Sequence, residues 1–154
     1  MTDVTPFPAA ALDPALFELL TSSFARTVGR SLIDGRQDAT WLYADAPFAL
    51  LAHSTAADPL FIYANRTAQR RFEYSFDEFL TIPSRMSAEA PNREERQRLL
   101  DAVARDGFID NYRGLRIAKS GKRFWIESAI VWELSDNDGT RRGQAAMFSE
   151  WTDM

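Results

Sequence analysis

The feature that most constrains this chain is a change of hydrophobic period at Gly107. Before this glycine, apolar residues recur every three or four positions, which is typical of amphipathic helices. After it, apolar and polar residues alternate over three segments, 108–118, 122–134 and 143–151, which short turns separate. Because short connections make successive strands neighbours, these segments predict an antiparallel meander.

Two further strands are predicted ahead of the meander, at 46–53 and 60–64. The long strand at 122–134 carries apolar residues on both faces. One face is predicted to hold Phe124, Ile126, Ile130, Trp132 and Leu134. With the first two segments, the meander predicts a five-stranded antiparallel sheet.

Three short helices are predicted between 65 and 106, and their starts are marked by caps. Asn65 is placed to cap the first. Ser75 and Glu78 form a capping box for the second, with Tyr74 and Phe79 placed as a hydrophobic staple.

The third of these helices is predicted from 93 to about 105. Asn92, between Pro91 and Glu95, is the predicted cap, and Asp106-Gly107 is the predicted end.

An N-terminal helix is predicted over 13–35, after a flexible stretch at 1–12. Asp13 is a favourable N-cap and Pro14 a favourable first residue, and Gly35 is the predicted stop. Leucine, phenylalanine and valine follow at helical spacing and form an apolar stripe that needs a partner. The prediction is therefore an α+β fold with short helices on one face of the sheet and this helix on the other.

Composition excludes several kinds of chemistry. There is no cysteine among the 154 residues, so disulfides, thiolate catalysis and iron–sulfur clusters are excluded. His53 is the single histidine, which excludes a multi-histidine metal site, and we predict no metal. A net charge of −4 argues against nucleic acid as a partner. No membrane span or signal peptide is recognisable, so we expect a cytoplasmic protein without membrane contact.

Three stretches of sequence resemble a known family. Residues 63–79 are similar to the PAS signature, in which a strand ends in Asn and a short helix leads to Tyr-Ser-x-x-Glu. Residues 119–153 resemble the closing strands of PAS domains, with an Asp-Gly turn and a final acidic-x-Thr. Residues 83–124 resemble the MEKHLA domain, a PAS-related group. The resemblance spans 46–152 and departs at Glu73, where PAS domains usually have Gly; we expect no positive φ there.

The resemblance to the MEKHLA family implies a sensory or interaction domain without enzymatic activity. The family occurs at the C-terminus of plant class III homeodomain–leucine zipper factors and as short stand-alone bacterial proteins. We therefore expect a stand-alone sensor that binds a small, mostly apolar molecule or a protein partner, and signals through helix repacking or a dimer. A domain with a filled core and no ligand, acting only in interactions, is the alternative.

The resemblance also implies where a ligand would bind, between the concave sheet and the short helices. Phe148 and Ala146 on the last strand are expected to face this pocket. The expected lining from the helices and other strands is Phe61 or Tyr63, Phe79, Ile82, Met86, Leu99, Val103, Leu115 and Ile126. The same side chains could instead fill the core.

The cofactor stays unknown, and we predict neither flavin nor heme. Light-sensing flavin PAS domains place Cys-Arg where this chain has Ser84-Arg85. Arg85, with Arg96 or Arg98, could bind a phosphate, but Ser84 cannot form a thiol adduct. The alternative role of Arg85 is a salt bridge to Glu89. His53, as a possible heme ligand, lies in a polar segment typical of surface turns.

A small enzyme that uses a strand carboxylate is a third hypothesis. It needs an open cleft at Glu127 or Glu133 and a raised carboxyl pKa. The other interpretation of these residues, and of Glu150, is charge pairing with Arg113, Arg116 and Arg123 across the strands.

The N-terminal helix offers a partner surface. We expect a homodimer through this helix and the outer sheet face, where Trp125 and Trp151 would meet Leu16, Leu20 and Phe24.

Overall fold

The computed structural model describes residues 7–89 and 92–154. The helices are α1 Pro14–Val28, α2 Ala39–Ala44, α3 Arg66–Phe72, α4 Phe76–Phe79 and α5 Arg93–Asp106. Single turns of 3-10 helix lie at Ala9–Leu12 and Ser84–Ser87. The strands are β1 Ala49–His53, β2 Phe61–Ala64, β3 Phe108–Ile117, β4 Arg123–Ser135, β5 Arg141–Phe148 and β6 Glu150–Asp153.

All these strands form one antiparallel sheet in the order β2-β1-β5-β4-β3. The last predicted strand is interrupted at Ser149, which divides it into β5 and β6. Both pair with β4 along the same edge, and in β6 Trp151 lies opposite Ile126. The predicted five-stranded antiparallel sheet, with short helices on one face and α1 on the other, is confirmed. In the described part of the chain, no helix is both long enough and apolar enough to cross a membrane.

The predicted helix starts are confirmed at three places. Asp13 accepts a hydrogen bond from the backbone N–H of Ala15, and Asn65 from that of Ala68. Ser75 and Glu78 form both bonds of the capping box, and the Tyr74 and Phe79 rings pack with centroids 5.3 Å apart. These local signals work because the first amides of a helix have no partner inside it.

The N-terminal region differs from the prediction. Helix α1 ends at Gly29, whose left-handed φ of 89° stops it six residues before Gly35. Helix α2 was not predicted; Asp38 caps it by accepting from Trp41 N–H. Ala9–Leu12 form a helical turn where no regular structure is expected, and residues 1–6 of the predicted flexible stretch lie outside the described residues.

Two predictions about single residues in the helical region are wrong. Asn92 has helical backbone angles and makes no side-chain cap, while its neighbour Pro91 lies outside the described residues. Glu73 has a φ of 67°, where none was expected to be positive. The conformation costs energy for a residue with a Cβ. It is accompanied by a hydrogen bond from Ser120 N–H to the Glu73 carboxylate. The Ser120 side chain and then this backbone N–H lower the pKa of the Glu73 carboxyl.

A bulge in β4 decides which side chains reach each face of the sheet. Ser128 has a φ of 51°, and the register with the neighbouring strands changes around it. An extra residue in a strand reverses the alternation beyond it. Phe124 and Ile126 therefore face the short helices, whereas the later side chains Ile130, Trp132 and Leu134 face α1. The prediction that all five share one face is wrong.

Helix α1 covers the outer face through Leu20 and Phe24, which are fully buried. The Phe24 ring packs edge-on against Trp132 with centroids 4.8 Å apart. The expected partners Trp125 and Trp151 do not belong to this cluster. Trp151 instead packs near Phe148 on the opposite side of the sheet. The helix is also fixed by Ser23, whose hydroxyl bonds to both backbone polar groups of Ser135.

Candidate functional site

A small cavity lies between the sheet and α5, on the side that faces the short helices. Its volume is about 40 Å³. Most of its wall is apolar and includes Leu51, Phe61, Phe72, Leu99, Ile126 and Phe148. The rest is polar and consists of His53, Ser87, Arg96, Arg116 and Gln144. We call these five residues the polar wall.

The structure brings five of the expected pocket residues to this cavity. They come from three strands and α5, and are Phe61, Leu99, Ile126, Ala146 and Phe148. Three more lie one layer behind. Phe79 packs on the Phe61 ring with centroids 5.0 Å apart, Ile82 packs against the same cluster, and Val103 packs with Leu99. Binding of a ligand by these residues stays a prediction.

Two expected strand residues point away from the cavity. Tyr63 lies in the cluster on the α1 side, near Tyr43 and Phe76. Leu115 lies opposite Trp125 in register, on the outer face. Alternation along each strand is the physical reason, because it turns Phe61 and Arg116 inward instead.

Arg85 and Met86 also lie outside the cavity. The 3-10 turn that carries them buries Ser84 and Ser87 and leaves the two residues between them at the surface. Arg85 forms an ion pair with Asp58 at 3.1 Å, not with Glu89 as proposed. Met86 is 40% exposed. Tight turns of this kind bury only some of their side chains, and the sequence does not indicate which.

Arg96 is the most unusual residue of the polar wall. It projects from α5 on the same face as Leu99 and Val103 and is only 8% exposed. Its guanidinium donates to Ser84 Oγ at 2.9 Å. Burial, followed by the nearby charge of Arg116, lowers the pKa of Arg96 to about 10. Removing a charge from water is unfavourable, so this position has a cost for folding.

Arg116 supplies a second buried guanidinium, 7% exposed. It donates to the carbonyl of Leu115 and to the hydroxyl of Tyr112, at 2.9 and 3.2 Å. The Tyr112 hydroxyl in turn donates to the carboxylate of Glu95 at 3.1 Å. Within the described residues, neither Arg96 nor Arg116 forms an ion pair with a carboxylate.

His53 is buried, 8% exposed, although its polar sequence context suggested a surface turn. Close packing of β1 on β5 is the reason: Gly143 approaches the His53 carbonyl so closely that a Cβ there would collide with it. The Nδ1 atom lies 3.0 Å from Ser54 O and therefore carries the hydrogen in that contact. The buried Nε2 atom has no hydrogen-bond partner among the described residues. Burial lowers the pKa of His53, which favours the neutral ring.

Gln144 connects the sheet to α5. Its side-chain amide donates to Leu100 O on the helix at 3.0 Å and to Glu133 Oε1 at 2.9 Å. Glu133 is itself held by the Arg141 guanidinium at 2.8 Å. A displacement of Gln144 is therefore coupled directly to the backbone of α5.

An open groove of about 450 Å³ lies outside the polar wall, between the loop at 54–59 and α5. His53, Arg96, Leu100 and Gln144 line both the groove and the cavity. These four residues are therefore the wall that the cavity and the groove have in common, and Arg96 is reached from both.

The carboxylates proposed for catalysis are held in charged contacts. Glu127 pairs with Arg113 at 2.7 Å, as predicted. Hydrogen bonds from Thr152 and then Arg113 lower the pKa of Glu127, whereas the carboxylate hypothesis requires a raised one. Arg123 pairs with Glu89 rather than with a strand carboxylate.

Sequence reasoning did not identify the polar wall as a group, although it considered Arg96 as a possible phosphate contact and His53 as a possible heme ligand. One signal was present: Arg96, Leu99 and Val103 have the spacing of a single helix face, so the arginine belongs to the apolar stripe. No comparable signal marks Arg116 or Gln144, whose burial depends on strand register.

Comparison with solved structures shows a shared fold. A PAS domain from Colwellia psychrerythraea matches with a TM-score of 0.61 and 15% identity, over 73% of this chain and 90% of that chain. A light-oxygen-voltage domain studied with a flavin analogue gives 0.56 and 15%, over 69% and 76%. A blue-light activated histidine kinase from Erythrobacter litoralis gives 0.58 and 20%, over 73% and 35%.

The sequence itself gives the family. No curated protein matches it. The model of the MEKHLA domain matches residues 14–153, nearly the whole chain, and thus includes α1 as well as the sheet and the polar wall. The chain belongs to the MEKHLA domain family.

Proposed function

We propose that this MEKHLA domain is a sensory module that binds a small molecule in the cavity beside α5 and signals by repacking that helix. The observation that carries the proposal is the buried His53 Nε2 atom, which has no hydrogen-bond partner in the described part of the chain and belongs to a residue of the cavity wall. Buried polar groups are nearly always hydrogen-bonded, so an exception calls for an explanation. A bound ligand that reaches this nitrogen supplies one.

Helix α5 is suited to report binding because it has few apolar contacts with the sheet. Leu99 and Val103 pack against Val131, and Gln144 holds the Leu100 carbonyl. A ligand in the cavity touches Leu99, Leu100 and Arg96 directly. If the ligand binds more tightly when α5 occupies one of two positions, binding shifts the conformational equilibrium toward that position.

Flavin does not fit the cavity. Pockets for drug-sized ligands measure about 300–1,000 Å³, well above the cavity volume of about 40 Å³. Heme is larger than the ring system of flavin, so it does not fit a cavity of this volume either. We therefore derive no photochemical or redox step, and the ligand proposed for this site is a small molecule.

Binding can be tested with a cavity-filling variant. Ala146→Leu places extra volume in the cavity, and the control Ala25→Leu adds it to the exposed face of α1. Ligand-observed NMR with a set of small aliphatic molecules should detect binders for the wild type and Ala25→Leu but not for Ala146→Leu. Binding that is equal in all three proteins would place the ligand elsewhere.

Signalling is tested by hydrogen exchange on the same proteins. With a binder present, the backbone amides of α5 should exchange more slowly in the wild type and in Ala25→Leu. Exchange in α1 serves as the internal reference. An α5 that exchanges at the same rate with and without a bound molecule would contradict the repacking mechanism.

Protein interaction is the second candidate, and the outer face supports it. Leu115 and Trp125 lie opposite each other there, half-buried and outside the three core clusters, with the Arg113 guanidinium 4.0 Å from the Trp125 ring centroid. Helix α1 packs toward the other end of β4, near Ser135. A homodimer that uses α1 and the outer face would cover this pair.

Sedimentation velocity tests the dimer. If this surface is the interface, the wild type should sediment as a dimer and Trp125→Lys as a monomer. Trp151→Lys, which changes a tryptophan on the opposite side, should behave like the wild type. A monomeric wild type would contradict the homodimer and leave the cavity proposal unaffected.

A further inference from the structure

We propose that the polar wall is a carboxylate-binding site, so that the molecule sensed in the cavity is a small organic acid with a short apolar body. The inference rests on the proposed function and adds the chemical class of the ligand. The carboxylate would meet the guanidinium of Arg96, with Arg116 contributing from the sheet.

The first argument is unbalanced charge. Arg96 and Arg116 are both more than nine-tenths buried, and the charge of Arg116 acts on Arg96 as a nearby like charge. The acidic groups in the region are already engaged: Glu133 with Arg141 and Glu95 with Tyr112. Buried charges are normally paired, so two guanidiniums on one cavity that form no direct ion pair among the described residues indicate a bound anion.

The second argument is unused hydrogen-bond capacity. A guanidinium has five N–H donors. Among the described residues, Arg96 uses one toward Ser84 Oγ, and Arg116 uses two, toward Leu115 O and Tyr112 Oη. Both side chains therefore keep donors for a carboxylate, which guanidinium binds in a two-point geometry.

The third argument is independent of charge. His53 Nε2 is buried, has no hydrogen-bond partner within residues 7–89 and 92–154, and belongs to the same polar wall as Arg96. Since its Nδ1 carries the hydrogen, a neutral His53 presents Nε2 as an acceptor. This nitrogen can accept a hydrogen bond from a hydroxyl or N–H group on the ligand, or from a water molecule that the ligand orders.

The position of Arg96 limits the size of the acid. This residue lines both the cavity and the outer groove, so a carboxylate beside it stands at the entrance with its body pointing inward. The inner space of about 40 Å³ is lined by Leu99, Ile126 and Phe148 and accepts only a few carbon atoms. Inorganic anions have no apolar part to fill this space, so they are not the preferred ligand.

The test compares butyrate with butyramide, which has the same shape but no charge. Amide chemical shifts of the isotope-labelled protein are followed during titration. Butyrate should bind at least about tenfold more tightly than butyramide, because charged hydrogen bonds are the stronger ones. The shifts should centre on Arg96, Leu99 and Ala146. Inorganic phosphate should bind more weakly than butyrate, since it lacks the apolar body.

Variants assign the effect to the polar wall. Arg96→Gln should weaken butyrate binding by about tenfold or more and leave butyramide unchanged; Arg116→Gln should act in the same direction if Arg96→Gln fails to fold. The control is Arg98→Gln, which changes an exposed arginine on the same helix that pairs with Glu94. Butyrate affinity should be unchanged in this control.

Three results would overturn the inference. Equal affinity for butyrate and butyramide would show a site without charge recognition, and equal affinity for phosphate and butyrate would show an unspecific anion site. A third result is that butyrate does not bind, whereas neutral molecules bind to the wild type and not to Ala146→Leu. In that case the carboxylate proposal fails and the sensory proposal stands. If no small molecule depends on Ala146, the sensory proposal itself fails.

Discussion

The two faces of the sheet are built differently. On the α1 side, large apolar groups such as Leu20, Phe24 and Trp132 are fully buried. On the α5 side, the helix contributes only a narrow apolar stripe, and its contact with the sheet encloses a cavity and two buried arginines. One face maximises burial of apolar surface, whereas the other contains groups that disfavour folding unless something binds to them.

The α1 side is a dense apolar core, although it also buries the Tyr63 hydroxyl and the Trp132 indole nitrogen without a hydrogen-bond partner among the described residues. The proposed sensing mechanism requires the α5 side to have the lower local stability, because elements that move on binding are generally of this kind. Stability measurements on matched variants of the two faces can therefore test the division.

The largest expected effect is on the α1 side. Phe24→Ala should lower the free energy of unfolding by about 3–5 kcal/mol, because it leaves a void against Trp132. Leu99→Ala, beside the existing cavity, should cost about 2 kcal/mol, at the low end for such a change. Urea denaturation of both variants measures the difference. Equal losses would mean that the two faces are packed alike.

A smaller effect of opposite sign is expected at the polar wall. Arg96→Met should raise the free energy of unfolding by about 1 kcal/mol, since an apolar side chain of similar length replaces an unpaired buried charge. Arg98→Met, at an exposed position, should change it little. Denaturation in ligand-free buffer is the measurement. A marked loss of stability in Arg96→Met would show that the arginine is a structural element rather than a binding group.

The polar wall should also make stability depend on pH. Burial lowers the pKa of His53 in the folded protein below the unfolded value of 6.5. As pH falls through 6.5, the unfolded chain takes up this proton first, so the folded state loses stability. His53 is the single histidine, so the difference between the wild type and His53→Gln isolates its contribution. The wild type should lose more stability than the variant below pH 6.5, and parallel curves would contradict the burial argument.

The smallest expected effect lies in the aromatic core on the α1 side. The buried Tyr63 hydroxyl has no hydrogen-bond partner among the described residues, and burial raises its pKa far above the usual range. Tyr63→Phe should therefore leave stability unchanged or raise it by less than about 1 kcal/mol. Tyr43→Phe removes the acceptor of Gln69 and should lower stability by about 1 kcal/mol. Thermal unfolding compares the two variants. A loss of stability in Tyr63→Phe would show that the Tyr63 hydroxyl does form a hydrogen bond in the folded protein.

The candidate site could be predicted only in part because strand and turn geometry decide it. The sequence correctly indicated that Ala146 and Phe148 share an inward face, since alternation within one regular strand suffices for that. It left Phe61 and Tyr63 open as alternatives and named Leu115 rather than Arg116, because the register of these strands was unknown. A leucine was expected at the wall, and the register places an arginine there.

Local chemistry by itself determined where α1, α3 and α4 begin and how the last three strands connect. Asn65, Ser75 and Asp13 cap helices because free amides lie within a few residues of them, and the Ser120-Gly121 turn joins β3 to β4. Only the tertiary structure decided which side chains face each other. A bulge at Ser128 turns Trp132 toward α1, and packing of α5 encloses Arg96. Both depend on contacts between residues far apart in the chain, which no short stretch of sequence records.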